Sequence, residues 1–166
     1  MIYRETWAII DDALRAIVAT EMNGGRLAAF QTFSEVVPPE GEPTPLAFPV
    51  LGIEYDGTDE NVASTRSSLQ TSTFTIAAYV FTAFDATNPT PDIVKRTKAA
   101  LKLLWNDGNG NGLGAVIRSD PTFGGIAISA LPSKLRMVAG RRDTESAGAD
   151  GILLCTLTVL AELQTQ

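Results

Sequence analysis

From Leu69 to Phe84 the chain alternates with a period of two. Phe74, Ile76, Ala78, Val80 and Phe84 fall on even positions and make one apolar face, while Thr71, Thr73 and Thr75 take the odd positions. Successive side chains on a pleated strand point to opposite faces, and threonine favours that backbone through its branched Cβ. At Tyr79 and Phe81 the odd positions turn aromatic as well. The segment is therefore expected to start half-exposed and to end buried on both faces. Its apolar face has to be covered by another layer.

Two segments supply that cover. In residues 4–22, Trp7, Ile10, Leu14, Ile17 and Val18 recur at helical spacing, with Arg4, Glu5, Asp11, Asp12 and Arg15 away from them. Asn23-Gly24-Gly25 supplies a stop. A second helix is predicted up to Trp105, with Thr90 as cap, Pro91 in the first turn and Asp92 at the positive end of the dipole. Val94, Thr97, Leu101, Leu104 and Trp105 form its inward face.

The remaining segments read as strands and turns. Residues 27–36 look extended, 50–56 form a short strand, and 57–68 are polar and turn-rich. After the second helix comes the run Asp107–Gly114, then a short strand at 115–118. A turn at Asp120–Gly125 leads to strands at 126–131 and 135–139, a polar loop at 140–150 and a closing strand at 152–163. With 166 residues the chain is expected to be one domain, residues 1–166. The class is α+β: a mixed, mostly antiparallel sheet covered on one face by two main helices.

Residues 34–49 stand apart. They hold five of the nine prolines together with Glu35, Glu40 and Glu42. Proline removes backbone donors and fixes φ, so this piece is neither a central strand nor a helix. It is an ordinary surface loop or an arm that reaches a neighbouring subunit. Charge is also uneven along the chain. Twelve of the nineteen carboxylates but only four of the thirteen cations fall in residues 1–90. Lys95, Lys98 and Lys102 form a stripe on the second helix, and Lys134, Arg136, Arg141 and Arg142 follow. A solvated face explains such residues, but unlike halves also suit head-to-tail association around a ring.

Composition narrows the chemistry. The chain has no histidine and one cysteine, so His-based triads, His-ligated metals and an internal disulfide are excluded. The lone Cys155 fits a reducing compartment, and its place on the apolar side of the last strand suits a packed thiol. No run of 18 apolar residues occurs, and Met1 leads directly into polar Tyr3, Arg4 and Glu5, so neither a membrane span nor a signal peptide is expected. A net charge of −6 argues against autonomous nucleic-acid binding.

Candidate motifs fail on context. Asp107–Gly114 opens like a calcium loop, yet Arg118 stands where a bidentate Glu is needed. It also lacks the Gly-Lys-Ser/Thr ending of a phosphate loop, which leaves a flexible helix exit. Asp56, Asp59 and Glu60 could hold Mg²⁺ or Ca²⁺, or form a solvated turn around Gly57. Adjacent Asp11 and Asp12 diverge on a helix and make no dyad. Neither Gly-x-Ser-x-Gly nor Ser-x-x-Lys occurs. Trp7 and Trp105 belong to inward helix faces.

The order of these pieces resembles the tail terminator proteins (tail completion, minor tail protein U type) of long-tailed bacteriophages. The resemblance runs over nearly the whole chain: the opening helix ending at Asn23-Gly24-Gly25, the proline-bounded entry into Val50–Tyr55, the Thr-rich strand Ser72–Phe84, the helix Asp92–Trp105, the Asp120–Gly125 turn and the apolar closing strand. It implies a structural virion protein at the tail–neck junction, assembled in the host cytoplasm, with no catalytic residue and no cofactor. Such proteins form a ring, hexameric in the family. The ring ends tail-tube polymerisation, meets a head-side connector and lets genomic DNA pass without sequence-specific contact. Lys95, Lys98, Lys102, Arg136, Arg141, Arg142, Glu35, Glu40 and Glu42 are then candidates for the subunit interface or the channel. The alternatives are a head-side connector or stopper of the same virion, a small metal-dependent hydrolase using Asp56, Asp59 and Glu60, and a monomeric ligand-binding module.

Overall fold

The computed structural model describes residues 6–34, 47–62, 67–84, 92–141 and 148–164. Helix α1 spans Thr6–Met22, α2 spans Ile93–Trp105 and α3 spans Leu113–Ser119. The strands are β1 (Thr32–Ser34), β2 (Val50–Val62), β3 (Ser67–Ala83), β4 (Ser129–Arg141) and β5 (Gly148–Gln164). They form one five-stranded sheet in the order β1-β2-β3-β5-β4. Among the described residues only the β1–β2 pair is parallel. The expected α+β class, with a mixed and mostly antiparallel sheet, is what the chain adopts.

The period-two strand is the centre of this sheet. β3 pairs with β2 on one side and β5 on the other. Register then defines two faces. On one, Ile53, Ile76 and Cys155 lie side by side, as do Tyr55, Phe74 and Leu157. All three helices cover this face. Ile10, Leu14 and Val18 of α1, Leu101 and Leu104 of α2, and Leu113, Val116 and Ile117 of α3 share one core with Phe74, Ile76, Leu153 and Leu157. On the other face, which carries no helix among the described residues, Glu54, Thr75, Thr156 and Lys134 form one cross-strand row.

Helix α2 packs tightly on the sheet at Gly151. A Cβ there would sit 2.5 Å from Thr97 Cγ2 and 2.8 Å from Val80 Cγ2. Any larger residue would push the helix off, which explains a glycine in mid-strand. Thr97 is fully buried; its hydroxyl donates to the Ile93 carbonyl at 2.8 Å and lies within hydrogen-bond distance, 2.9 Å, of the Thr82 hydroxyl.

Several boundaries depart from the sequence reading. Helix α2 starts at Ile93 with Asp92 as its N-cap, the carboxylate accepting from the Lys95 amide at 3.1 Å. Thr90 and Pro91 lie outside the described residues. The extended segment expected at 27–36 is reduced to Thr32–Ser34 among the described residues. Positions 57–62 and 67–68, read as turn, continue β2 and β3. The strand expected at 115–118 is helix α3, because Leu113, Val116 and Ile117 all reach the core only at helical spacing. The expected strands 126–131 and 135–139 merge into one strand, β4, which begins only at Ser129 and has a register shift between Pro132 and Lys134. Proline cannot donate to a ladder, so the bulge absorbs it at the sheet edge. Phe84, expected on the buried face, follows the end of β3 and is exposed.

The Asp107–Gly114 run is not a slack exit. Asp107 Oδ1 accepts from the amides of Asn109 and Asn111, and Oδ2 accepts from Asn111 Nδ2. Gly112 then caps α3 at φ 106°, with its N–H on the Arg26 carbonyl at 3.0 Å. A Cβ on Gly112 would lie 2.6 Å from the Trp105 carbonyl. The loop is a short brace that lays α3 beside α2.

Candidate functional site

The two outer edges of the sheet hold the groups that the core does not use. Among the described residues β4 is one edge along its full length. Ile126, Ile128, Leu131, Leu135 and Val138 are each 42–60% exposed, and they are five of the eight large apolar side chains exposed among the described residues. Leu131 and Val138 face the helix-free side, in register with Thr158 and Ile152, whereas Leu135 faces the helix side beside Cys155. An edge strand apolar on both faces is a template for another strand. Lys134 and Arg136 stand exposed on the helix-free side of the same strand.

At the opposite edge, β1 covers β2 only from Val50 to Gly52. Beyond it, the Ile53 carbonyl accepts from Arg15 Nη2 at 3.4 Å. Arg15 is held by Asp11 one helical turn back at 2.8 Å, and its guanidinium lies 5.8 Å from the Phe33 ring centre. These two residues, expected on the outward side of the first helix, instead close the end of β1. From Glu54 to Val62 the outer rim of β2 has no strand partner among the described residues. Glu54, Asp56 and Asp59 are exposed there. Asp56, the extra residue at the bulge between Tyr55 and Gly57, accepts from Thr75 Oγ1 at 2.6 Å on the helix-free side.

The charge split along the chain thus becomes a split in space. Carboxylates line the β2 rim, and cations line the β4 rim on the same face. Lys95, Lys98 and Lys102 are exposed on α2, which lies over β3, β5 and β4, so they stand on the other side of the sheet from Lys134 and Arg136. Arg141 is the last residue of β4. Glu35, Glu40, Glu42 and Arg142 lie outside the described residues.

The metal reading of Asp56, Asp59 and Glu60 fails on geometry. Asp59 pairs with Thr71 and Glu60 with Gln70, so they point to opposite faces of the sheet. Among the described residues no three metal-ligating side chains converge. One polar cluster lies under α1, where Tyr55 Oη, Thr58 Oγ1 and Ser72 Oγ form a hydroxyl chain at 2.7 and 2.8 Å. Trp7 stacks on Tyr55 with ring centres 4.5 Å apart, and the buried Gln70 follows in the next row. The cluster contains hydroxyls and an amide without an ionisable acid or base suited to neutral pH.

Cys155 is fully buried, and desolvation pushes its thiol up to about 11, against a smaller opposing pull from Arg118. It is a packed side chain and a poor nucleophile. Trp105 rests against Gly114 with Arg118 5.6 Å from its ring centre, a structural contact as expected.

The sequence alone does not reveal the apolar exposure of Leu131, Leu135 and Val138 or the edge position of Glu54 and Asp56. A signal existed in the strict alternation Ile53-Glu54-Tyr55-Asp56, which puts both carboxylates on the side opposite the core.

The fold and these rims define an α+β chain with one helix-covered sheet and two chemically unlike edges. No protein-family model and no curated protein matches the chain.

Proposed function

We propose that the protein is a structural ring subunit of a bacteriophage tail, of the tail terminator type. Copies close into a ring on the end of the tail tube, stop its growth and offer the opposite surface to a head-side connector, while DNA passes through the hole. The order of elements supports this reading, and the observation that carries it is the acidic β2 rim opposite the basic, apolar β4 rim. Unlike surfaces on opposite sides of one subunit favour head-to-tail contacts, which close when the rotation per subunit allows it. Function then comes from shape and complementarity, with no bond made or broken.

Electron microscopy of tail tubes from the same virion, polymerised with and without the purified protein, tests this. Capped tubes of limited length are expected. Tubes that elongate unchecked in its excess overturn the proposal.

A further inference from the structure

We infer that two copies of this chain join by strand addition, β4 of one copy lying antiparallel along the β2 rim of the next from about Glu54 to Val62. The inference rests on the ring reading and names the contact within it. Three observations lead to it. The first is direction. β2 and β5 run one way while β3 and β4 run the other. Copies set side by side in the same orientation therefore present β4 antiparallel to β2, the pairing with perpendicular hydrogen bonds.

The second is the match of faces. Lys134 and Arg136 point to the helix-free side, in register with Thr156 and Leu154. Glu54 pairs with Thr75 and Asp59 with Thr71, on that same side. A sheet continued from copy to copy with all helices on one side brings these cations to these carboxylates.

The third is what the cations exclude. Two β4 strands paired about Leu135 would set Lys134 opposite Arg136 at two places, because residues 134 and 136 share a face. Like charges directly opposite each other in a ladder are unfavourable. The apolar β4 edge is thus steered away from its own copy and toward the acidic rim. A wet, two-sided apolar edge gains most from strand addition, since the new strand satisfies the backbone while side chains cover both faces.

Sedimentation velocity and native mass spectrometry of the full chain, alone and with tail tubes, test the contact. Two charge-reversed chains are needed, K134E/R136E and E54K/D59K. All four side chains are exposed, so circular dichroism and the unfolding midpoint should match the parent chain. Each reversed chain alone should associate at least tenfold more weakly. Mixing them should restore assembly, because the acidic β4 of one then meets the basic β2 rim of the other. Association that survives both reversals overturns this contact and leaves the ring standing on another surface. Loss with K134E/R136E alone, and none with E54K/D59K, overturns the β2 rim as the partner of β4. A parent chain that stays monomeric at every concentration and on tubes removes both the ring and the contact.

Discussion

Thr73 and Phe74 are neighbours on β3 and face different surroundings. Phe74 is fully buried under the helix layer, 5.5 Å from the Tyr55 ring, in a core shared by all three helices. Thr73 looks out from the helix-free side and sits beside Thr158 of β5. The covered face has leucine, isoleucine and phenylalanine in continuous contact. The other has threonines in its middle rows and opposite charges at its two rims. Stability is therefore concentrated on one side of a single strand, and the capacity to meet other molecules on the other side and at the edges.

That contrast can be broken most directly by Phe74→Ala. It removes a large buried side chain and should cost about 3–5 kcal/mol in urea unfolding. A loss below about 1 kcal/mol would mean that the covered face is not the main source of stability. Gly112→Ala comes next. It forces φ 106° on an L-residue and drives a Cβ into the Trp105 carbonyl, so a loss of about 1–3 kcal/mol is expected. An unchanged midpoint would show that the brace does not fix α3. Thr73→Ala should cost less than about 1 kcal/mol, the scale of strand preference alone, and a core-sized loss would erase the distinction between the faces.

The smallest effect is on pH dependence. Hydrogen bonds from Asn111 and the backbone hold the Asp107 carboxyl below its ordinary range, and bonds from Thr122 and the Gly124 amide do the same for Asp120. Glu21 is lowered by its hydrogen bonds to Arg26. A depressed carboxyl contributes stability above its unfolded value and loses it as pH falls through the folded value. The unfolding midpoint should therefore begin to fall below about pH 4. Asp107→Asn should flatten that fall slightly, and an unaltered acid limb would remove Asp107 from the account.

How much of this could be read from the sequence depended on whether a residue's role is local. β3 was legible because its alternation matches the pleat for most of its length. In the sequence β4 looks like two strands because Pro132 breaks the alternation, while the ladder to β5 resumes at Lys134. Helix α3 looked like a strand because seven residues with a Val-Ile pair carry little helical signal of their own. Its conformation is set by the core beneath it. The Gly/Asn run looked loose because composition does not reveal that one carboxylate gathers three donors. The charge imbalance was visible at once. Its meaning waited on strand order, since only the sheet places residue 54 and residue 134 at opposite rims of one face.

The three residues of β1 have a consequence out of proportion to their number. They occupy the flank of β2 beside Val50, Leu51 and Gly52, and Arg15 closes the next carbonyl. Any strand laid along that flank from outside meets a doorstop at Ile53 and cannot slide past it. A short internal element can thus act as a ruler, fixing where a visitor stops and hence the angle between one molecule and the next.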